Sequence, residues 1–337
     1  MRAWPWRTTN LALFGVLALA FATGAGAVAT GSGRGRWVVI AHGVAGLAVI
    51  LLSPWKGRII TVGLRRPKPS RWASALLGVL VLGSLLAGLG SGTGLVRSIA
   101  GQWGLWAHIA LALLLVPLLL WHVAARPARP RRTDLSRRTL LRAGTIGAVA
   151  GGLYLGVEGA VRLARLPGSR RRFTGSYPAD PALMPVTSWI NDPIQRVDGA
   201  DWRLTIVDAD GRQVLSQAQL AGHDWVTTRA TLDCTSGWYA AQEWTGVPLS
   251  ALIRRIGPEH RSIRVHSSTG YVRYLPLADL DTLLLAFEAG GAALSAGHGY
   301  PARLVAPGRR GFWWVKWVDR IEVSDRHWWA QSPFPLT

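Results

Sequence analysis

Long apolar runs fill the first third of the chain and limit what it can fold into. Four such runs cover about residues 11–30, 37–53, 72–90 and 103–124. Each is close to the ~20 residues that an α-helix needs to cross a hydrocarbon core of ~30 Å. Tryptophans mark several ends, as expected at the headgroup level of a bilayer: Trp37, Trp55, Trp72, Trp103 and Trp121. We therefore predict a four-helix membrane domain over residues 1–125.

Basic residues lie mainly in short stretches between these runs. A net charge of +20 would suit nucleic acid, but this placement is typical of a membrane protein, so we expect the lipid bilayer as a partner and no nucleic acid. The positive-inside rule puts the N-terminus and both basic loops in the cytoplasm. Those loops hold Lys56, Arg58, Arg65, Arg66, Lys68 and Arg71, and then Arg126, Arg129, Arg131, Arg132, Arg137 and Arg138.

A fifth, glycine-rich run covers about residues 140–157. Directly before it, "SRRTLL" (136–141) resembles a twin-arginine export motif. We find no A-x-A cleavage site and expect this helix to be retained, so that 126–172 form a basic loop, a fifth transmembrane helix and a linker. The arginines of residues 162–172 would then lie on the outer side of the membrane, contrary to the positive-inside rule. Large domains are translocated largely regardless of their charge. The expected location is the cell membrane, multi-pass, with residues 173–337 extracytoplasmic.

The remaining residues, 173–337, have the texture of a globular α+β domain. Alternating polar and apolar residues predict half-buried strands at 202–208 and 262–268. Short helices are predicted at 249–256 and 277–287. About 165 residues are enough to bury a core of their own.

Three histidines lie inside the apolar runs, where ionisable residues mark functional sites. His42 and His108 each follow a tryptophan at the outer end of a run by five residues, so both lie about 7–8 Å deep. Two imidazoles at equal depth on different helices suit the axial ligation of one haem b on the outer side. Hydrogen bonding between helices is the alternative. His122 lies beside Trp121 and either reaches the interface or ligates a second haem.

The only cysteine, Cys234, stands in "TLDCTSGWYAAQEWTG" (231–246) and excludes an internal disulfide. By itself it could be a buried filler, a nucleophile with His223 or His266 as base, or a metal ligand. Thiolate is the ligand that sulfur-rich metal sites use.

That stretch, together with "GHGYPARLVAPG" and "GFWWVKWV" further on, resembles the sulfite oxidase family of molybdopterin enzymes, over about 185–337. It is most similar to small bacterial periplasmic members of the methionine sulfoxide reductase type. The resemblance implies a sulfite-oxidase-type α+β domain with mixed β-sheets, and a molybdenum-molybdopterin cofactor. Because the chain ends soon after Val323, we expect no immunoglobulin-like dimerisation domain.

The resemblance also implies site residues. Cys234 would ligate molybdenum and be the catalytic residue. The expected pterin contacts are Ser188, Trp189, Thr269, His298, Arg303, Trp314, Val315 and Lys316. The family's Arg-Asn-His run is replaced by Thr187-Ser188-Trp189, and its acidic contact is missing from 266–271.

Sulfite oxidases have arginines a few residues after the cysteine, and this chain has Trp238 and Tyr239 there. A sulfoxide or N-oxide is therefore expected as oxo donor or acceptor, although Arg229, Arg273, Arg309 or Arg310 could supply charge for sulfite. The expected function is two-electron oxygen-atom transfer, with the haem exchanging electrons with a membrane quinone pool or redox protein. The alternatives are a haem-free anchor with a separate redox partner, and a tethered binding module with a decayed pterin site.

Overall fold

The computed structural model describes residues 6–64, 71–125, 131, 134, 136–188 and 193–332. Trp189 lies outside these residues, as do six cations of the basic loops: Arg65, Arg66, Lys68, Arg126, Arg129 and Arg132. The chain divides into two compact units, one of residues 1–27 and 34–177 and one of residues 28–33 and 178–337.

The first unit is a helical bundle. Five helices are long and apolar enough to cross a membrane by length and composition. They are α1 (Trp6–Ala29), α2 (Arg36–Leu64), α3 (Arg71–Thr93), α4 (Gly104–Ala125) and α5 (Arg137–Leu163). A short antiparallel hairpin of β1 (Ser98–Ile99) and β2 (Gln102–Trp103) joins α3 to α4. Helices α3 and α4 pack as one pair, and α2 packs against α5.

The helices leave much of their apolar surface uncovered. A small core of Leu13, Val49 and Leu52 joins α1 and α2. On the outer faces, in contrast, Val79 is 65% exposed and Leu155 70% exposed. Apolar surface of this kind is unusual in water and normal against lipid.

The second unit contains two β-sheets. Its elements in chain order are β3 (Tyr177–Pro178), which begins at the junction of the units, β4 (Arg203–Asp208), β5 (Gly211–Ser216), α6 (Gln217–Ala221), β6 (Val226–Asp233), β7 (Trp238–Pro248), α7 (Leu249–Leu252), β8 (Ser262–Ser267), β9 (Val272–Pro276), β10 (Leu284–Ala289), β11 (Ala292–Ala293), β12 (Arg303–Val305) and β13 (Val318–Ser324). One sheet runs β11-β10-β7-β3, with β12 on β10 and β6 on β7. The other has the order β5-β4-β13-β8-β9.

The second sheet is mixed, because β4 and β13 pair in parallel while its other pairs are antiparallel. The α+β fold with mixed sheets is therefore confirmed. The strands predicted at 202–208 and 262–268 are present as β4 and β8.

The two predicted helices of this unit are shorter than expected. Helix α7 ends at Leu252, and residues 277–282 form a 3₁₀ turn. From Leu284 onward the chain is strand β10, and Leu284–Phe287 are buried throughout. A short apolar run that is buried on both faces has no periodicity to separate strand from helix, so the prediction at 283–287 was wrong.

Candidate active site

Cys234 lies in the turn between β6 and β7. Its N–H donates to the Trp238 carbonyl (2.8 Å), and the Gly237 N–H donates back to the Cys234 carbonyl (3.2 Å). Gly237 has φ 114°, a conformation that favours glycine, so the residue type is required by the turn. The Cys234 Sγ lies 3.1 Å from Ser236 Oγ, and the residue is 8% exposed.

The thiol faces a cleft that contains about 780 Å³ of space outside protein atoms, including its open mouth. The cleft brings together many residues that the sequence singled out: Ser188, Cys234, Trp238, His298, Arg303, Trp314 and Lys316. It adds residues that sequence reasoning did not assign: Pro185, Thr187, Leu232, Thr235, Ser267, Tyr271, Gly311 and Phe312.

Four other predicted site residues do not line this cleft: Thr269, Val315, Tyr239 and Arg273. The Thr269 hydroxyl lies 3.0 Å from Ser267 Oγ, so Ser267 comes between it and the cleft lining. Val315 is 1% exposed, and its carbonyl accepts from the Leu304 N–H. Ser267 and Thr269 lie two residues apart in "HSSTGY", so the motif alone did not distinguish which of the two lines the cleft.

Arg303 is a buried cation in the wall of the cleft. It is 3% exposed, donates to the His298 carbonyl (3.2 Å) and lies over the rings of Trp244 and Trp314. Its Nε is buried without a hydrogen-bond partner among the described residues. Burial lowers the pKa of the guanidinium to about 10, and the Cys234 thiolate opposes that shift. A buried cation of this kind is an expensive feature that an anion in the cleft would offset.

His298 and Lys316 hold the segment 184–188 across the cleft. The His298 Nε2–H donates to the Met184 carbonyl (3.1 Å), so Nδ1 accepts from the Ser295 hydroxyl (2.8 Å). Burial, and after it the charges of Arg303 and Lys316, lower the pKa of His298. The Lys316 Nζ donates to the carbonyls of Thr187 (2.8 Å) and Gly297 (2.7 Å). The site therefore has a neutral imidazole donor beside two fixed cations.

Aromatic rings form much of the remaining wall. Trp238, Tyr271, Phe312 and Trp314 all line the cleft. Arg273 is 3% exposed and lies behind Tyr271, donating from Nε to its hydroxyl (2.7 Å), while that hydroxyl donates to the Phe312 carbonyl (2.6 Å). Arg273 therefore does not line the cleft itself but bonds Tyr271, which does.

The other arginines considered for substrate charge are also directed elsewhere. Arg309 donates to Asp279 (2.8 Å and 2.5 Å), and Arg310 forms a buried ion pair with Asp233. Arg229 is exposed on β6. Arg303 is the one arginine of the described part of the chain that lines the cleft.

Neither histidine considered as a base for Cys234 lines the cleft. His266 Nε2 lies 3.0 Å from Glu322 Oε1 instead, in an ion-pair cluster on the second sheet. The thiol, the buried guanidinium and the ammonium of Lys316 fit an anionic, metal-bearing cofactor with a phosphate group better than a hydrolytic centre.

The first unit contains a second candidate site. The imidazoles of His42 on α2 and His108 on α4 meet edge to face, with ring centres 5.8 Å apart and planes at 69°. The Nδ1 of His42 bonds the Ala20 carbonyl (2.9 Å), and that of His108 bonds the Ser84 carbonyl (2.8 Å). Within the described residues, no three His, Cys, Asp or Glu side chains gather as a metal site.

A glycine lies against each imidazole. A Cβ added at Gly24 would lie 3.1 Å from His42 Cε1, and one at Gly88 would lie 3.1 Å from His108 Nδ1. The two hairpins α1–α2 and α3–α4 therefore present their histidines in equivalent settings. His122 on α4 is not part of this pair, and Trp121 beside it is 40% exposed.

The cleft of the second unit brings together a thiol, a buried guanidinium and several aromatic rings. Residues 191–332 match the family described as "Oxidoreductase molybdopterin binding domain". This match confirms the predicted molybdopterin-binding domain and, with the relatives below, an oxidoreductase.

Three curated relatives match part of this chain. Mitochondrial sulfite oxidase of Rattus norvegicus is 28% identical over 40% of this chain and 32% of its own length. The nitrate reductase [NADPH] of Phytophthora infestans is 29% identical over 28% of this chain and 15% of its own. The protein-methionine-sulfoxide reductase catalytic subunit MsrP of Ralstonia nicotianae is 29% identical over 28% of this chain and 34% of its own. The chain therefore spans about a third or less of each relative.

Among solved structures, the sulfane dehydrogenase SoxCD of Paracoccus pantotrophus is 31% identical over 40% of this chain and 41% of that chain, with a TM-score of 0.38.

Proposed function

We propose that the protein is a membrane-anchored, molybdopterin-dependent oxidoreductase that moves an oxygen atom to or from a small substrate in a two-electron reaction. The observation that carries the proposal is that the only thiol in the chain and a buried guanidinium share one cleft. When bound, the molybdenum supplies the two-electron redox change and the exchange of oxygen.

The chain's own residues have distinct tasks in this proposal. Cys234 provides the protein thiolate that holds the metal. Arg303 supplies bidentate donors for an anionic group, and Lys316 supplies a point charge. His298 stays neutral and donates through Nε2. The aromatic wall excludes water from the reacting atoms, which strengthens every charge interaction in the cleft.

A neutral oxo compound, such as a sulfoxide or an N-oxide, suits the cleft better than sulfite. Anion recognition needs cations that face the substrate, and the arginines other than Arg303 are held away from the lining. Tyr271 and Phe312 offer flat apolar contact instead. Arg303 itself is occupied in offsetting the charge of the cofactor.

We further propose that His42 and His108 bind one haem b. The ring centres of the two imidazoles lie 5.8 Å apart, close enough for both side chains to hold one metal ion. Bonding of each Nδ1 to a main-chain carbonyl leaves Nε2 for a metal, as ligating histidines usually require. Gly24 and Gly88 have no side chain, which leaves space next to the imidazoles of His42 and His108.

The haem would pass single electrons between the catalytic domain and a membrane quinone pool or redox protein. Support for the membrane location comes from the five apolar helices and their exposed Leu and Val side chains. The charge pattern and the "SRRTLL" motif support export of the catalytic domain.

Metal analysis of the purified full-length chain tests the catalytic part of the proposal. We expect molybdenum in the wild-type chain, and loss of both molybdenum and activity in Cys234→Ser. Activity is measured against a panel of sulfoxides, N-oxides and sulfite, and thermal unfolding checks that the variant is folded. A folded wild-type chain without molybdenum would contradict the proposal and favour the tethered binding module.

Optical spectra of purified membranes test the haem. Dithionite should produce b-type bands in the wild type, and these bands should disappear in His42→Ala and in His108→Ala. His327→Ala, a substitution of an exposed histidine in the second unit, is the control. Absent bands, or bands unchanged in both variants, would leave a haem-free anchor served by a separate redox partner.

A further inference from the structure

A buried ion pair lies directly behind the thiol that the proposed function assigns to the metal. Arg310 Nη1 lies 3.4 Å from Asp233 Oδ1, and both side chains are 2% exposed. The same guanidinium donates through Nη2 to the carbonyl of Cys234 (3.1 Å). One arginine therefore bonds the side chain that precedes the cysteine and the main chain of the cysteine itself.

The loop that carries Arg310 fits closely against the cysteine turn. Asp233 and Arg310 form a parallel bridge between their main chains. A Cβ added at the next residue, Gly311, would lie 3.1 Å from Cys234 Cα and 3.3 Å from the Asp233 carbonyl oxygen. Glycine at this position therefore lets the loop approach the turn.

Stability alone is a poor reason for such a pair. Removing two charges from water costs several kcal/mol per ion, and apolar residues of similar size often serve a fold as well. A buried pair is better suited to fixing one arrangement of groups. What it fixes here is the peptide on either side of Cys234, whose carbonyl also accepts from Gly237 N–H.

We infer that Asp233 and Arg310 are positioning residues that set where the Cys234 thiolate enters the cleft. A metal ligand has to be held within about 0.5 Å of its productive position. The pair restrains the main chain of Cys234 without lining the cleft that would hold the cofactor. The role does not require contact with substrate, and neither side chain lines the cleft.

This inference rests on the proposed function for its metal, so its test includes a readout that needs no metal. Cys234 is the only cysteine, so alkylation by iodoacetamide reports on this thiol alone. The full-length chain is produced in a host that cannot make molybdopterin, and the alkylation rate is measured for Asp233→Asn and Arg310→Lys. We expect both to label about tenfold faster than the wild type, because a turn without its buried ion pair holds the thiol less firmly in its buried position.

The metal-loaded chain gives the second readout. The same variants should lose about 10–100-fold in molybdenum affinity or turnover, with a shifted thiolate-to-metal absorption band. Arg310→Lys keeps the positive charge but loses the planar guanidinium, so it tests whether the hydrogen-bond geometry of the arginine matters in addition to its charge. Asp279→Asn is the matched control, because it breaks the ion pair of the adjacent Arg309 and leaves Cys234 untouched.

A double variant, Asp233→Leu with Arg310→Met, covers the case in which single variants fail to fold, because removing both charges avoids leaving one buried alone. We expect it to fold, to label faster and to show the shifted band. If it and the folded single variants label like the wild type and keep the wild-type band, the pair is structural only and the inference fails. A wild-type chain without molybdenum would instead overturn the proposed function, while faster labelling of the variants would still support the positioning role.

Discussion

At the scale of single residues, the buried charge of Arg303 is costly to the second unit. The lowering of its pKa to about 10 corresponds to roughly 3 kcal/mol for keeping the cation in the fold at pH 7. Contacts with the rings of Trp244 and Trp314 recover part of that cost. The fold keeps a charge that it does not need for its own stability, which is typical of a binding site.

Arg303→Met should separate stability from function. We expect the free energy of unfolding of the cofactor-free chain to stay the same or to rise by up to about 2 kcal/mol, because a desolvated charge is removed. Molybdenum content should fall strongly. The control is Arg273→Met, which should destabilise by about 1–3 kcal/mol because it leaves Tyr271 and the Ser332 carbonyl without their donor. If the Arg303→Met variant kept the molybdenum content of the wild type, that result would contradict the role of Arg303 in binding the cofactor.

His298 predicts a pH dependence of stability. Because its pKa is lowered in the fold, the unfolded chain binds more protons once the pH drops below the ordinary value of 6.5. Stability is then lost as the pH falls through 6.5 toward the folded pKa. Thermal unfolding from about pH 7.5 to about pH 5 should show a smaller fall for His298→Gln than for the wild type. The exposed His327→Gln should behave like the wild type, and equal slopes for His298→Gln and wild type would refute the prediction.

At the scale of elements, the two helical hairpins repeat one arrangement. In each, the first helix provides a carbonyl for the imidazole and a glycine four residues later. These pairs are Ala20 with Gly24 on α1, and Ser84 with Gly88 on α3. The second helix provides His42 or His108. A hydroxyl also lies near each Nδ1, from Thr23 (3.5 Å) and Ser84 (3.2 Å).

Gly88→Val should therefore disturb the haem while leaving the helix intact. The added side chain would push the ring of His108 from its carbonyl partner, since even a Cβ would lie 3.1 Å from its Nδ1. We expect weakened or shifted b-type bands in membranes. Gly78→Val on the same helix is the control, because nothing lies within 4 Å of a Cβ there. Equal spectra for the two variants would show that the glycine is not needed for the haem.

At the scale of the whole molecule, the proposed function requires the second unit to lie on the outer side of a membrane. Ser136 caps α5 by accepting from the Thr139 N–H, so the arginine pair of the export-like motif forms the first turn of that helix. Two roles for the pair have different requirements: an export signal, and a positively charged helix start.

A double variant, Arg137→Lys with Arg138→Lys, distinguishes these roles, because a receptor-read signal requires arginine while a charged helix start does not. An exposed reporter thiol, Asp281→Cys, is labelled in intact spheroplasts with a membrane-impermeant maleimide. We expect labelling in the parent chain and its loss in the double variant. Arg142→Lys should label normally, and an unlabelled parent chain would place the domain in the cytoplasm.

Parts of the site were accessible to sequence reasoning because their residue types are tied to their chemistry. Cys234, His298, Arg303 and Lys316 were predicted and do meet in one cleft. Tyr271, Thr187 and Phe312 were missed, since a tyrosine or a threonine in a strand or loop has no pattern that distinguishes a cleft wall from a core. Strand β10 was missed because its buried run satisfies helix and strand equally.

The sequence by itself determined the apolar helices, the presence of a lone thiol beside a molybdopterin-type motif, and the two histidines that each follow a tryptophan by five residues. Those features depend on composition and on spacing along the chain. Only the tertiary structure decided that the rings of His42 and His108 meet, and that Arg310 bonds the cysteine while Arg303 faces the cleft. Arginines look alike in a sequence. Burial and partners, which depend on contacts between distant segments, decide which one lines the cleft and which one bonds the main chain.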